Sequence, residues 1–227
     1  MVYSQIYSPC TPEEALRCID LGADCIGEVV SAGSESNNKG DTFPVETVRK
    51  IFDAINAKAE RVLIVYGSTP EEALSLAVDL DADVLQTIFD DLEADRKTYE
   101  LRNAMIPELR ISRSVLVRDR SSIDIALEAE KYCDALILDT PDPRGIGGGT
   151  TGAVHDWNIS REIVERTSVP VIMAGGLGPD NVGKCIDEVR PFCVDSFTKV
   201  STFGPDGLLT GKDFDLVGEF CRIAHSK

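Results

Sequence analysis

The chain has 227 residues, 43% hydrophobic and 27% charged, the composition of a globular protein long enough to bury a full core. Acidic side chains outnumber basic ones 39 to 23, and the net charge of −16 repels nucleic-acid phosphates and anionic membranes, which argues against both as partners. Seven cysteines, an odd number without a Cys-x-x-Cys pair, argue against a disulfide framework or a zinc site and for reduced thiols in a cytoplasmic protein.

No basic leader with an apolar run, and no apolar stretch of membrane-spanning length, is found. The charge itself reads as solubility, or as adaptation to a salt-rich cytoplasm. It also means that a phosphate ligand would need a local site that overrides the global field, such as backbone N–H groups at a helix N-terminus.

The first element, "VYSQIY" (2–7), reads as a short strand. "TPEEALRCIDLGAD" follows as a helix, with Thr11 as N-cap, Pro12 at the first position, Glu14 in the capping-box position and Gly22 as a stop. The pattern then recurs. "DCIGEVV" (24–30) is a strand and "FPVETVRKIFDAIN" (43–56) a helix, "RVLIVY" (61–66) a strand and "STPEEALSLAVDLDAD" (68–83) a helix that repeats the first start signal. "DVLQTI" (83–88) precedes the helix "LEADRKTYELRNAM" (92–105), and "RISRSVLV" (110–117) precedes "SSIDIALEAEKY" (121–132). "DALILD" (134–139), "VPVIMAG" (169–175) and "FCVDSF" (192–197) are the last three strands, followed by helices over 158–167, 178–189 and 212–224. The near-continuous hydrophobicity of the strands suits a sheet covered on both faces.

The helix-to-strand junctions "LGADCIG", "LDADVLQ" and "KYCDALI" each place an Asp just before a strand. An internal βα repeat taken eight times predicts a compact (β/α)₈ TIM barrel, one domain over residues 1–227. A doubly wound open sheet is the alternative. In a barrel the active site lies at the C-terminal strand ends, and the long loops there follow strand two (31–42), strand six (140–157) and strand eight (198–211).

After strand seven, Gly175 and Gly176 in "MAGGLGPDNV" let the backbone approach a ligand closely. With the neighbouring loop "DSFTKVSTFGPDG", which carries Thr198 and Lys199, they predict a phosphate cradle, Lys199 adding positive charge. "RGIGGGTTGAVHDW" (144–157) contains Gly147, Gly149 and Gly152 in a G-x-G-x-x-G spacing. Without a strand directly before it, this is a weak dinucleotide fingerprint, and a mobile Gly-rich lid that touches substrate fits better. Asp139 and Asp195 close strands six and eight and are candidate acid–base groups. His155 in the lid loop is placed to touch substrate, and His225 lies near the C-terminus, so the two histidines make no metal constellation and no metal is predicted.

"GGGTTGAVHDW", "VPVIMAGGLGPDNVGKCI" and "GKDFDLVGEF" resemble the second half of phosphoribosylanthranilate isomerase of tryptophan biosynthesis, and "IYSPCTPEEALRCIDLGAD" and "STPEEALSLA" resemble its first half. The resemblance implies a cofactor-free Amadori rearrangement, an aldose–ketose isomerisation of a phosphoribosyl amine, by a monomer or homodimer. It implies Asp139 as general acid on the ring oxygen, a strand-one Cys as general base on the C2 proton, phosphate at Gly175 and Gly176, and Asp195 holding substrate.

The chain departs from that pattern. Lys-Ile-Cys-Gly becomes Gln5-Ile6-Tyr7-Ser8, so Tyr7 stands at the place of the base, with Cys10 three residues later; Tyr7, Cys10 or no such base are the open choices. A Ser-Pro-Arg after strand two is not recognisable in "SAGSESNNKGDTF", Gln86 is followed by Thr87-Ile88-Phe89 instead of Leu-His-Gly, and Thr150 replaces a lid glycine. Ser-Ser-Gly-Val-Glu after strand eight becomes Phe197-Thr198-Lys199-Val200-Ser201. These departures leave two further readings, a paralogue acting on another phosphorylated metabolite and a non-catalytic ligand-binding barrel.

Overall fold

The computed structural model describes residues 1–31, 40–89, 91–141 and 154–227. The elements alternate as β1 (Tyr3–Tyr7), α1 (Pro12–Asp20), β2 (Cys25–Ser31), α2 (Val45–Ile55), β3 (Glu60–Tyr66), α3 (Pro70–Asp79), β4 (Val84–Thr87) and α4 (Leu92–Met105). They continue as β5 (Arg110–Leu116), α5 (Ser121–Ala129), β6 (Ala135–Asp139), α6 (Trp157–Arg166), β7 (Val171–Met173), α7 (Val182–Val189) and β8 (Cys193–Ser196). A short hairpin, β9 (Ser201–Phe203) and β10 (Leu209–Lys212), precedes α8 (Phe214–His225). Each strand pairs in parallel with the next, and β8 pairs back onto β1, so the sheet closes into a barrel and the open-sheet alternative falls. No described helix is long and apolar enough to cross a membrane.

Side chains alternate across each strand, and the two faces have different tasks. Ile6, Ile26, Leu63, Leu85, Ile111 and Leu136 point outward and are fully buried in the cluster that also contains Phe52, Ile163 and Phe220 of the helices. Tyr7, Cys25, Val29, Val62, Ile64 and Val84 point inward and fill the barrel as a second cluster. The inward positions at the strand tips therefore line whatever opens at the top.

The repeated junction Asp has a structural role. Asp24 Oδ2 accepts from the Ser4 amide at 2.8 Å, Asp83 Oδ2 from the Arg61 amide at 2.8 Å, and Asp134 Oδ2 from the Ile111 amide at 2.7 Å. Each carboxylate clasps the start of the strand before it, satisfying an amide at the bottom of the barrel. Arg61 adds its guanidinium to Asp83 at 2.9 Å, and Arg102 pairs with Asp134 at 3.1 Å. The pattern sits at β2, β4 and β6, and Pro191-Phe192 stand in its place before β8.

Two helix starts that look alike in sequence differ in detail. In α3 the box closes both ways, Thr69 Oγ1 accepting from the Glu72 amide and Glu72 Oε2 from the Thr69 amide. In α1, Thr11 Oγ1 accepts from the Glu14 amide, but the Glu14 carboxylate reaches one residue further back, to the Cys10 amide at 2.7 Å. The hairpin after strand eight was not expected from the sequence. Its signal is the turn "GPDG", where Gly207 takes φ +79° and the Gly204 amide donates to the Leu208 carbonyl at 2.8 Å. All seven cysteines are free thiols, six of them buried and Cys10 half-buried.

Candidate active site

A cavity of about 530 Å³ opens at the C-terminal ends of the strands, a size that suits a small-molecule ligand. Asp139, Tyr7, Gln86, Asp195, Gly175, Gly176 and Thr198 all line it. Cys10, Lys199 and His155 are not among its lining residues. Gly149 and Gly152, with the rest of the Gly-rich segment, lie outside the described residues. Among the described residues no group of three or more His, Cys, Asp or Glu side chains is gathered as metal ligands would be.

Asp139 ends β6 on the inward register, two residues after Ile137, which also lines the cavity. Burial pushes its carboxyl up to about 6, against the opposing pull of the Thr140 amide, which donates to Oδ1 at 2.7 Å. A carboxylic acid in that range exchanges its proton near neutral pH, as a general acid must. Asp195 stands on β8, beside β1, in register with Gln5. Burial pushes it up to about 8, with the Asp139 charge adding to the rise. Gln5 Nε2 donates to its Oδ2 at 3.1 Å.

The turn after β7 fits a close-approaching anion. Gly175 and Gly176 have φ of +83° and +63°, a region that L side chains resist. A Cβ on Gly175 would also lie 2.8 Å from both the backbone N and the Cβ of Thr140, so the glycine is demanded twice. Asn181 fixes the turn, its Nδ2 donating to the Gly176 carbonyl and its Oδ1 accepting from the Gly178 amide, each at 2.9 Å. Ser196 Oγ on β8 donates to the Leu177 carbonyl at 2.7 Å, tying this turn to the neighbouring strand.

Four candidate residues have surroundings that bear on the roles expected of them. The Tyr7 hydroxyl donates to Gln86 Oε1 at 2.5 Å, and burial, followed by Asp195, Cys25, Tyr66 and Asp139, holds the phenol well above its ordinary value. A phenol kept protonated at neutral pH is a hydrogen-bond donor and not a base. Cys10 sits at the start of α1, and burial together with Glu14 pushes its thiol up to about 11, so it offers no thiolate and no access. His155 is pinned between Thr140 Oγ1 at 2.9 Å and Ser160 Oγ at 2.7 Å, and burial pushes it down to about 4. It is a neutral strut that ties α6 to the end of β6. Lys199 Nζ is bound by both oxygens of Asp180, at 2.9 and 2.7 Å, so it bridges two loops and brings no free charge to the cradle.

Other cavity residues have no local motif. Tyr66 ends β3 on the inward face, and Asp41 and Ser8 meet beside it, Ser8 Oγ donating to the Asp41 carbonyl at 3.2 Å. Among the described residues, Arg113 and Arg118 are the cations that line the cavity. Arg113 is engaged by Asp95 at 2.7 Å and by the Phe89 carbonyl at 2.7 Å. Arg118 is exposed and, among the described residues, forms no ion pair. Strand parity was the one sequence signal for Tyr66: the inward residue of each strand's last turn faces the mouth.

The family model described as N-(5'phosphoribosyl)anthranilate (PRA) isomerase matches residues 71–204. The chain is 32% identical over 220 residues to N-(5'-phosphoribosyl)anthranilate isomerase of Methanocella arvoryzae, covering 97% of this chain and 96% of that protein. It superposes on the crystal structure of phosphoribosyl anthranilate isomerase from Thermotoga maritima with a TM-score of 0.81 at 26% identity, over the full length of both. A phosphoribosyl anthranilate isomerase in complex with reduced 1-(o-carboxyphenylamino)-1-deoxyribulose 5-phosphate gives 0.78 at 25% identity, again over the full length of both.

Proposed function

Since this chain belongs to the phosphoribosylanthranilate isomerase family, we propose that its barrel mouth isomerises N-(5'-phosphoribosyl)anthranilate to 1-(o-carboxyphenylamino)-1-deoxyribulose 5-phosphate. The observation that carries the reading is Asp139, a half-buried carboxyl that desolvation pushes up to about 6, in the same cavity as the Gly175–Gly176 turn. The reaction needs an acid for the ring oxygen within reach of a sugar whose phosphate is anchored by backbone. Asp139 supplies the first need, and the β7 and β8 loops, with Thr198, the second. The substrate then runs from the phosphate end across the mouth, and its anthranilate ring lies toward Ile88, Phe89 and Tyr66. Among the described residues, Arg118 on that side is a cation that forms no ion pair and can meet the anthranilate carboxylate.

This orientation answers the problem set by a net charge of −16. The phosphate is received by neutral backbone dipoles of the β7 and β8 loops, so the local field there differs from the global one. Assay of the purified chain on N-(5'-phosphoribosyl)anthranilate tests the reading directly. Asp139→Asn is expected to lower kcat by roughly 10²–10⁴-fold, the usual worth of a positioned acid, while the protein still binds the reduced product analogue. Wild-type protein that neither turns over the substrate nor binds that analogue ends the proposal.

A further inference from the structure

The isomerisation needs two proton transfers, one to the ring oxygen and one from C2, and the described cavity offers no thiolate for the second. Tyr7 donates its proton to Gln86, and Cys10 is outside the cavity. The carboxylates that line the described cavity are Asp41, Asp139 and Asp195. Asp195 has the best position for the task. It hangs from the strand that pairs directly with β1, in register with Gln5, and so stands beside the tip where Tyr7 occupies the inward position. It also flanks β7 on one side while Asp139 flanks it on the other, which sets the two carboxyls on either side of the Gly175–Gly176 turn.

We propose that Asp139 and Asp195 act as an acid–carboxylate pair that performs both proton transfers, with Asp195 taking the C2 proton. The inference rests on the isomerase reading above. The groups around Asp195 pull its ionisation in both directions. Tyr7 from β1 and Cys193 from its own strand face it as neutral groups, Asp139 from β6 opposes its ionisation, and Lys212 from β10 favours it from a distance. Its hydrogen-bond donor, Gln5, is neutral, so no ion pair locks it in the charged form.

The proton balance closes within the pair. Asp139 in its acid form gives its proton to the ring oxygen as the C1–O bond breaks, and the nitrogen lone pair forms a C1=N iminium. The Asp195 carboxylate takes the C2 proton; the C2–H electrons become the C1=C2 bond and the C1=N pair returns to nitrogen. Asp195 then delivers its proton to C1 while Asp139 accepts the enol O–H proton as C2=O forms. Both side chains return to their starting states. C1 is reduced and C2 oxidised within one molecule, so no external reductant or oxidant enters.

The test combines Asp195→Asn with Gln5→Lys. Asp195→Asn is expected to lose roughly 10²–10⁴-fold in kcat and to stop deuterium wash-in at the transferred position in D₂O. Its affinity for reduced 1-(o-carboxyphenylamino)-1-deoxyribulose 5-phosphate should stay within about threefold, a free-energy change of under ~1 kcal/mol. Gln5→Lys places a cation on Asp195 and should move the alkaline limb of the kcat/KM profile to lower pH. Cys10→Ser should behave as wild type. Turnover by Asp195→Asn within tenfold of wild type overturns the pair. So does a parallel loss of turnover and analogue binding, which would mark Asp195 as a holding group, or an unmoved profile in Gln5→Lys. Exchange that survives in Asp195→Asn but vanishes in Asp41→Asn would assign the C2 step to Asp41. Failure of the isomerase reading itself looks different: the wild type would then show neither turnover nor analogue binding, and both proposals would fall together.

Discussion

Tyr7 fits inside the barrel only because its register partner on β2 is Gly27, and that contact gives a quantitative prediction. A Cβ placed on Gly27 would lie 2.5 Å from Tyr7 Cζ and 2.6 Å from Cδ1, about an ångström inside ordinary contact. The ring cannot retreat freely, since its hydroxyl is hydrogen-bonded to Gln86 at 2.5 Å in a buried site. Gly27→Ala should therefore cost about 1–3 kcal/mol of overpacking plus ~1 kcal/mol for a weakened hydrogen bond. At ~2–4 °C per kcal/mol for a chain of this size, the Tm should fall by about 4–16 °C. Tyr7→Ala will destabilise by leaving a void, but adding Gly27→Ala to it should cost almost nothing, because the added methyl then enters empty space. Thermal and urea unfolding of the wild type, both single variants and the double variant close the cycle. A Gly27→Ala penalty that persists unchanged in the Tyr7→Ala background refutes the argument, as does a Gly27→Ala protein with wild-type stability.

The acid–base pair makes a prediction about pH. With Asp139 at about 6 and Asp195 at about 8, kcat/KM should follow a bell: below the first value both carboxyls are protonated, above the second both are charged, and between them the pair holds one proton, which rests mainly on Asp195 and must sit on Asp139 for turnover. A profile flat from pH 5 to 9 contradicts it. Glu28, on the outward face of β2, is fully buried with neither oxygen hydrogen-bonded, and burial holds it well above the usual carboxylate range, with Lys212 pulling the other way. The folded state thus keeps a proton that the unfolded chain releases, and stability is lost as pH rises from the unfolded value toward the folded one. Glu28→Gln removes that ionisation, so its stability relative to the wild type should rise steadily from pH 5 to 7. Parallel pH–stability curves for the two proteins would show that the burial is not felt.

Much of this protein is written in short-range pattern. Each strand is a short, largely apolar run, and most helix starts carry a Thr, Asp, Asn or Pro, so eight βα units follow from neighbours along the chain. Once eight units close, strand parity alone sends Asp139 and Asp195 inward, and the Gly175–Gly176 pair marks the turn after β7, where the backbone takes positive φ. The resemblance to the isomerase family rested on these same segments.

Protonation and partnership were decided elsewhere. Tyr7 meets Gln86 across 79 residues, and Gln5 meets Asp195 across 190. No window of sequence contains both members of either pair. His155 and Lys199 have the right residue types at the right loops, yet Thr140 and Ser160 consume both nitrogens of the first, and Asp180 neutralises the second. Hydrophobic periodicity is a local property and fixes the backbone. A proton's free energy depends on burial and on every charge within several ångströms, and only barrel closure brings those groups together.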